Sequence, residues 1–105
     1  MKKLKFYILM IDWRRGERYK DAICKKLVSG YRIDDLTGVY CDEHRNCVVT
    51  DLKTGLSCSC DAKSINLAVE NYTKLQDKIT EARNAKGYYE SIERFNNADI
   101  IKEDE

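Results

Sequence analysis

The residues best suited to chemistry crowd into one stretch, YCDEHRNCVVTDLKTGLSCSC, residues 40–60, which holds four of the five cysteines and the single histidine. Cys41, His44 and Cys47 are spaced C-x2-H-x2-C, and Cys58 and Cys60 follow as C-x-C. Thiol and imidazole in this density admit three kinds of chemistry: a zinc site, a disulfide or redox centre, and a nucleophile–base pair. They also admit a sheet that uses cysteine as a small apolar residue.

Zinc needs four ligands converging as a tetrahedron, usually from two C-x2-C-type hooks. This stretch has no such hook, and the two thiols of C-x-C stand about 6–7 Å apart along a strand. His44 falls in a polar turn and would have to fold back. A reactive thiol needs a lowered pKa and a base. His44 beside Cys41 or Cys47 is the sole candidate pair, and no third group is placed to orient it. The preferred reading is structural. With DLKTG as a turn over Leu52–Gly55, Val49 faces Cys58 and Cys47 faces Cys60, so all four share one face while Ser57 and Ser59 point the other way. No metal ligand and no cofactor is assigned; a small zinc module built on this cluster is the alternative.

Other catalytic constellations are missing from the sequence pattern. The adjacent acids Asp34–Asp35, Asp42–Glu43 and Glu103–Asp104–Glu105 read as solvated turn or tail residues, since neighbours on a turn seldom converge on one reacting atom. No Gly-rich phosphate loop occurs, because DLTG and DLKTG each carry one glycine and no following Lys-Ser/Thr. No nucleophile–base–orienter set can be assembled, and the expectation is a protein without enzymatic activity.

The elements that hold these residues follow from periodicity. KLKFYILMID is β-branched and aromatic and reads as a strand. In GERYKDAICKKLVSG, the spacing of Tyr19, Ala22, Ile23, Lys26 and Leu27 predicts a helix over 17–29, ended by Gly30, with a strand as the competing reading. Two related turns, DDLTG (34–38) and DLKTG (51–55), and a third polar turn, DEHRN, separate YRI, VYC, CVVT and LSCSC, which implies an antiparallel meander. From an N-cap at Asp61, the stripe Ile65, Ala68, Val69, Tyr72, Leu75, Ile79, Ala82 predicts one long amphipathic helix to about Ala85. Gly87 breaks or ends it, and Tyr88, Ile92 and Phe95 form a second stripe. The fold class is α+β: a meander of about four or five strands packed against a long helix and one or two shorter ones. Residues 1–97 form a single domain, and 98–105 an acidic tail.

A net charge of +1 conceals segregation. Residues 1–32 carry ten Lys/Arg against three Asp/Glu, whereas residues 33–62 and the tail are acidic. Trp13, Arg14, Arg15, Arg18, Lys25, Lys26 and Arg32 are the candidate contacts for a protein partner or nucleic acid, because cations neutralise phosphates or acidic surfaces and aromatics stack on bases. The apolar run Phe6–Ile11 is too short for a secretory signal or a membrane span. The expectation is a cytoplasmic protein whose thiols stay reduced, without disulfides.

The run CVVTDLKTGLSCSCDAKSINLAVENYTKL resembles a pattern in small accessory proteins of phages and mobile elements, in which a VTDLxTGL strand leads through a second strand into a helix. It is also similar to HicB-type antitoxins, a meander followed by a helix, although it lacks their Pro-Gly-Cys-like segment and the glycine before the helix. The resemblance implies an origin, not a site: an accessory gene whose product inhibits or regulates a host nucleic-acid-processing enzyme or its nucleoprotein complex, as anti-CRISPR proteins do. Direct nucleic-acid binding through the basic N-terminal third is the alternative; no membrane association is expected.

Overall fold

The computed structural model describes residues 1–11 and 23–101. It is an α+β fold. Strands β1 (Lys3–Ile11), β2 (Ile23–Asp34), β3 (Thr37–Cys41) and β4 (Cys47–Asp51) lie side by side in sequence order, each antiparallel to the next. Helices α1 (Ile65–Lys74), α2 (Gln76–Arg83) and α3 (Gly87–Asn97) follow, and a short β5 (Asp99–Ile100) returns to the sheet. β5 runs parallel to β2, pairing Cys24 with Asp99 and Lys25 with Ile100, and the Ile101 N–H donates to the Lys25 carbonyl at 2.8 Å. The segment expected as a tail thus starts inside the sheet, and residues 102–105 lie outside the described part.

The helix expected over 17–29 is corrected for its C-terminal half. Residues 23–29 belong to β2, which pairs with β1 from Ile11↔Ile23 to Lys3↔Tyr31; residues 17–22 lie outside the described part. Ile23, Lys26 and Leu27 fit a helical stripe, but Ile23, Val28, Tyr31 and Ile33 are strand formers, and a ladder along the whole of β1 outweighs a weak local preference. Gly30 therefore ends nothing; it sits within β2.

The sheet curls. Leu9, on the free edge of β1, donates its N–H to the Gly55 carbonyl at 3.0 Å, which fastens β1 to the turn after β4. On one face Phe6, Ile8, Val48 and Thr50 are buried, with the Phe6 ring edge-on to Tyr40 at 6.0 Å. Gly38 makes room for that ring, since a Cβ there would stand 2.9 Å from Phe6 Cε1. On the other face Val39, Cys47, Val49 and Cys60 pack against Ala68, Tyr72 and Ile79 of the helices. β4 is consequently buried along its whole length.

The expected long helix is two helices. Leu75 (φ −103°, ψ 16°) separates α1 from α2. Its N–H reaches both the Asn71 and Tyr72 carbonyls, at 3.2 and 3.1 Å, and the Gln76 side-chain amide also takes the Tyr72 carbonyl, at 3.0 Å. The turn tightens because that carbonyl accepts from residue i+3 and from a side chain. α1 begins later than expected: Ser64, not Asp61, caps it, accepting from the Leu67 N–H at 3.2 Å. Reciprocal backbone bonds between Cys47 and Ala62 hold residue 62 extended, so the helix forms only beyond it. Asp61 accepts from the Ser57 hydroxyl instead. Of the predicted stripe, Ala68, Tyr72 and Ile79 are buried and Ala82 is exposed. Gly87 opens α3.

Candidate functional site

The turns DDLTG and DLKTG each use their first aspartate, Asp34 and Asp51, in a similar way. In the first, Asp34 Oδ1 accepts the Leu36 N–H at 2.9 Å and Oδ2 accepts the Tyr72 hydroxyl of α1 at 2.6 Å. In the second, Asp51 Oδ2 accepts the Thr54 N–H at 3.1 Å and the Thr54 hydroxyl at 2.7 Å, while both its oxygens lie 3.0 Å from the Tyr88 hydroxyl of α3. Each turn aspartate thereby fixes its own loop and holds a helix by a tyrosine. The turns also touch, through the Leu52 N–H to the Leu36 carbonyl at 2.8 Å and the pair Thr37↔Asp51.

Arg83 of α2 bridges the two. Its Nε lies 3.1 Å and its Nη2 3.0 Å from Asp51 Oδ1, and Nη2 also donates to the Thr37 hydroxyl and the Leu36 carbonyl. The Tyr72 proton is committed to Asp34, so the Thr37 hydroxyl, 2.9 Å from the Tyr72 oxygen, donates in that pair. Donors then run in one direction from the guanidinium through Thr37 and Tyr72 to Asp34, an arrangement in which each bond polarises the next. Partial burial opposes the charge of Arg83, but hydrogen bonds and the Asp51 charge outweigh it and hold its pKa above the ordinary value. Burial and the Asp51 charge push Tyr88 up to about 12.

For Asp34, burial favours the neutral acid, yet the bonds from Tyr72, Leu36 and Thr37 and the Arg83 charge prevail, and its pKa lies below the usual carboxylate value. The folded state therefore prefers the charged form. Its contribution to stability is complete above about pH 4, the unfolded value, and is lost as pH falls through the lower folded value. Tyr72→Phe removes the bond from Tyr72 and should flatten the acid limb of the stability–pH curve, read by urea unfolding between about pH 2 and 6. An unchanged limb would show that another group carries it.

An open cleft of about 640 Å³ lies over this cluster, between the segment after β4 and helices α2 and α3. Leu56, Cys58, Leu75 and Ile79 give it an apolar lining, with Lys78 and Arg83 as its cations. Burial works against reactivity at Cys58, pushing its thiol up to about 11 from an ordinary 9.0. That lowers the thiolate fraction roughly a hundredfold, part of which the greater basicity of the thiolate returns. Iodoacetamide at neutral pH should modify Cys58 at least about tenfold more slowly in the folded than in the urea-unfolded protein, by peptide mass spectrometry. Equal rates would place the thiol at the surface.

The cysteine stretch keeps the face assignment and gains a bond. Cys47, Val49 and Cys60 are buried together, with Cys58 packed against them and Ser57 and Ser59 exposed. Val48 and Thr50, on the opposite face of β4, are buried with Phe6 and Ile8. The turn register is as expected at Thr50↔Ser57, with the Cys58 N–H on the Val49 carbonyl. Ser59 (φ 60°) then shifts it, so that Cys47 pairs with Ala62, not with Cys60, and LSCSC is no regular strand. The expectation of no disulfide is corrected: Cys41 and Cys47 are the last opposed pair of the β3–β4 hairpin and are bonded. Compartment reasoning from composition did not see that the hairpin register sets these two side by side. His44 is exposed at the turn tip, 3.7 Å from Glu43. Among the described residues no three His, Cys, Asp or Glu side chains are grouped to hold a metal ion.

Of the expected contact residues, Trp13, Arg14, Arg15 and Arg18 lie outside the described part. Lys25, Lys26 and Arg32 do not form one patch. In β2, Lys25 and Lys26 point to opposite faces. Lys25 Nζ stands 5.5 Å from the Tyr7 ring centre and 5.1 Å from that of Phe95, and donates to the Phe95 carbonyl at 3.3 Å, near the end of α3. Arg32 donates to the Asp34 and Asp35 carbonyls of its own turn. The register instead assembles Lys3, Lys5 and Tyr7 of β1 with Tyr31, Ser29 and Leu27 of β2 on one face. Lys3, Lys5, Ser29 and Leu27 are exposed there. Sequence reasoning passed over Lys3 and Lys5; their alternation with Leu4 and Phe6 in KLKF was the available signal.

Comparison with protein-family models, with curated proteins and with solved structures returns no match. Among the described residues no helix is long and apolar enough to cross a membrane.

Proposed function

We propose that the protein is a non-enzymatic binding protein, an inhibitor or regulator of a host nucleic-acid-processing enzyme encoded on a mobile element and acting in the cytoplasm, in the manner of anti-CRISPR proteins. The observation that carries the binding reading is the β1–β2 ribbon. Its described residues 1–11 and 23–34 include Lys2, Lys3, Lys5, Lys25, Lys26 and Arg32 against a single acid, Asp34 at the end of β2. Lys3 and Lys5 are exposed beside Leu27, itself 47% exposed. A basic face interrupted by apolar and aromatic groups suits an acidic protein surface. The Asp51–Arg83 cluster supports the same reading, since Asp51 is bound by Thr54, Tyr88 and Arg83 at once.

Lysine and tyrosine on one face also suit nucleic acid, and the experiment separates the two partners. Tagged protein is used to recover partners from host extract with and without nuclease treatment, beside the Lys3→Glu/Lys5→Glu variant. Both positions are surface sites, so the variant should fold with stability within about 0.5 kcal/mol. The expected result is a nucleic-acid-processing protein that survives nuclease treatment and is lost with the variant. Recovery of DNA or RNA alone, abolished by nuclease, would overturn the partner class.

A further inference from the structure

We propose that the free edge of β1 takes up an extended, acidic peptide segment of a partner protein as an additional strand. This rests on the reading of the chain as a binding protein and specifies how its basic ribbon engages. Two bonds fix which backbone groups of β1 face outward. The Lys2 carbonyl accepts from the Arg32 N–H at 2.9 Å, so even-numbered residues direct their polar groups at β2. The Leu9 N–H leaves the sheet for Gly55, so odd-numbered residues direct theirs away from it. Lys3, Lys5 and Tyr7 therefore present N–H and C=O to the open side, and among the described residues no backbone group stands opposite them. The turn closes the edge at Leu9 and leaves Lys3–Tyr7 open, about 17 Å of strand at 3.4 Å per residue.

The side chains choose among possible occupants. A second copy pairing antiparallel about Lys5 would set lysine against lysine, the arrangement by which edge strands avoid self-pairing. Nucleic acid would neutralise the lysines, but its phosphates are acceptors and leave the outward carbonyls without donors. An added peptide strand supplies donors and acceptors in alternation. On the face of Lys3 and Lys5 its side chains are acidic. On the opposite face, where Leu4 is half-buried and Phe6 buried, they are apolar. A shallow depression of about 420 Å³ over the β1–β2 ladder, lined by Lys3, Leu4, Lys5, Ser29, Gly30 and Tyr31, sets both lysines at its rim.

The probe is a short fluorescent peptide alternating glutamate and valine, in three forms: unmodified, N-methylated at the residues whose amides face β1, and N-methylated at the intervening residues. Anisotropy titrations at low salt are combined with amide spectra of the labelled protein. Strand addition predicts that edge-facing methylation weakens binding at least about tenfold while the other methylation leaves it within a factor of about two. The Lys3, Lys5 and Tyr7 amides should shift and gain exchange protection, and Lys5→Glu should weaken binding similarly. No binding, or equal binding by both methylated peptides, would overturn strand addition. So would displacement of the peptide by an oligothymidine without any effect of methylation. If the peptide fails while a protein partner is still recovered through Lys3 and Lys5, strand addition falls and the binding reading stands; if recovery is also lost to nuclease, both fall.

Discussion

Asp51→Ala should destabilise the protein by about 3–5 kcal/mol, the cost of removing one partner from a buried ion pair. Asp51 is 6% exposed, and in the pair with Arg83 the two side chains are 17% and 9% exposed. Alanine there leaves the Arg83 charge without its carboxylate in a half-buried setting. It also leaves the Thr54 N–H and the Thr54 and Tyr88 hydroxyls without their acceptor. The same side chain joins the β4 turn, α2 and α3, so its loss should loosen all three together. Against a total stability of about 5–15 kcal/mol for a domain of this kind, that is a large share.

Urea unfolding at neutral pH measures it. Asp51→Asn, which keeps an acceptor and loses the charge, should cost less than alanine. Arg83→Met should also cost less, because Asp51 retains Thr54 and Tyr88 as donors. The double variant Asp51→Ala/Arg83→Met should fall short of the sum of the two by about 1–3 kcal/mol, the signature of direct coupling. A cost under about 1 kcal/mol for Asp51→Ala would place the pair in solvent, where such bridges contribute little.

The cluster was half legible in the sequence. The echo of DDLTG and DLKTG marked two turns and Asp51, but its shared Asp-Leu step falls on Asp35 in the first turn, whereas the bonds go to Asp34, which read as a solvated turn acid. Their tyrosines and Arg83 were not singled out: Tyr72 and Tyr88 fit apolar stripes, and Arg83, four residues after Ile79 and eleven after Tyr72, falls on the same helical face as they do, so a cation set in an apolar stripe was the available signal. The break at Leu75 comes from competition for one carbonyl, which hydrophobic spacing does not report. The residues of β2 failed for a related reason. Ile23 and Leu27 satisfy both periods, and only the ladder with β1 decides between them. The functional consequence is large, for a helix keeps Lys25 and Lys26 on neighbouring faces whereas the strand separates them. The cysteine stretch shows the converse. Alternation of LSCSC placed its thiols and serines correctly even though no regular strand forms, because two backbone bridges suffice to hold the side chains in alternation.

Gly55→Ala is expected to be strongly destabilising, because backbone strain and crowding combine at this position. Gly55 has φ +69°, where an L side chain costs about 1–2 kcal/mol. The added Cβ would also press on the Phe95 ring and stand 2.7 Å from the Leu9 nitrogen. The ring is the buried end of α3, and the nitrogen belongs to the bond that fastens β1 to the turn. Phe95 can rotate only by leaving Lys25; Leu9 can retreat only by giving up its hydrogen bond to the residue that was changed. Crowding of this kind adds about 1–3 kcal/mol, for a total of about 2–5 kcal/mol. The effect should also be local in a recognisable way: in amide exchange, Leu9 should lose protection before the β1–β2 ladder does. Gly87→Ala is the control, because nothing lies within 4 Å of a Cβ there and the position opens a helix. It should change stability by no more than about 1 kcal/mol, in the stabilising direction. If Gly55→Ala proves as harmless as Gly87→Ala, or if Leu9 exchange is unchanged in it, the sheet is not held in its curl by this turn.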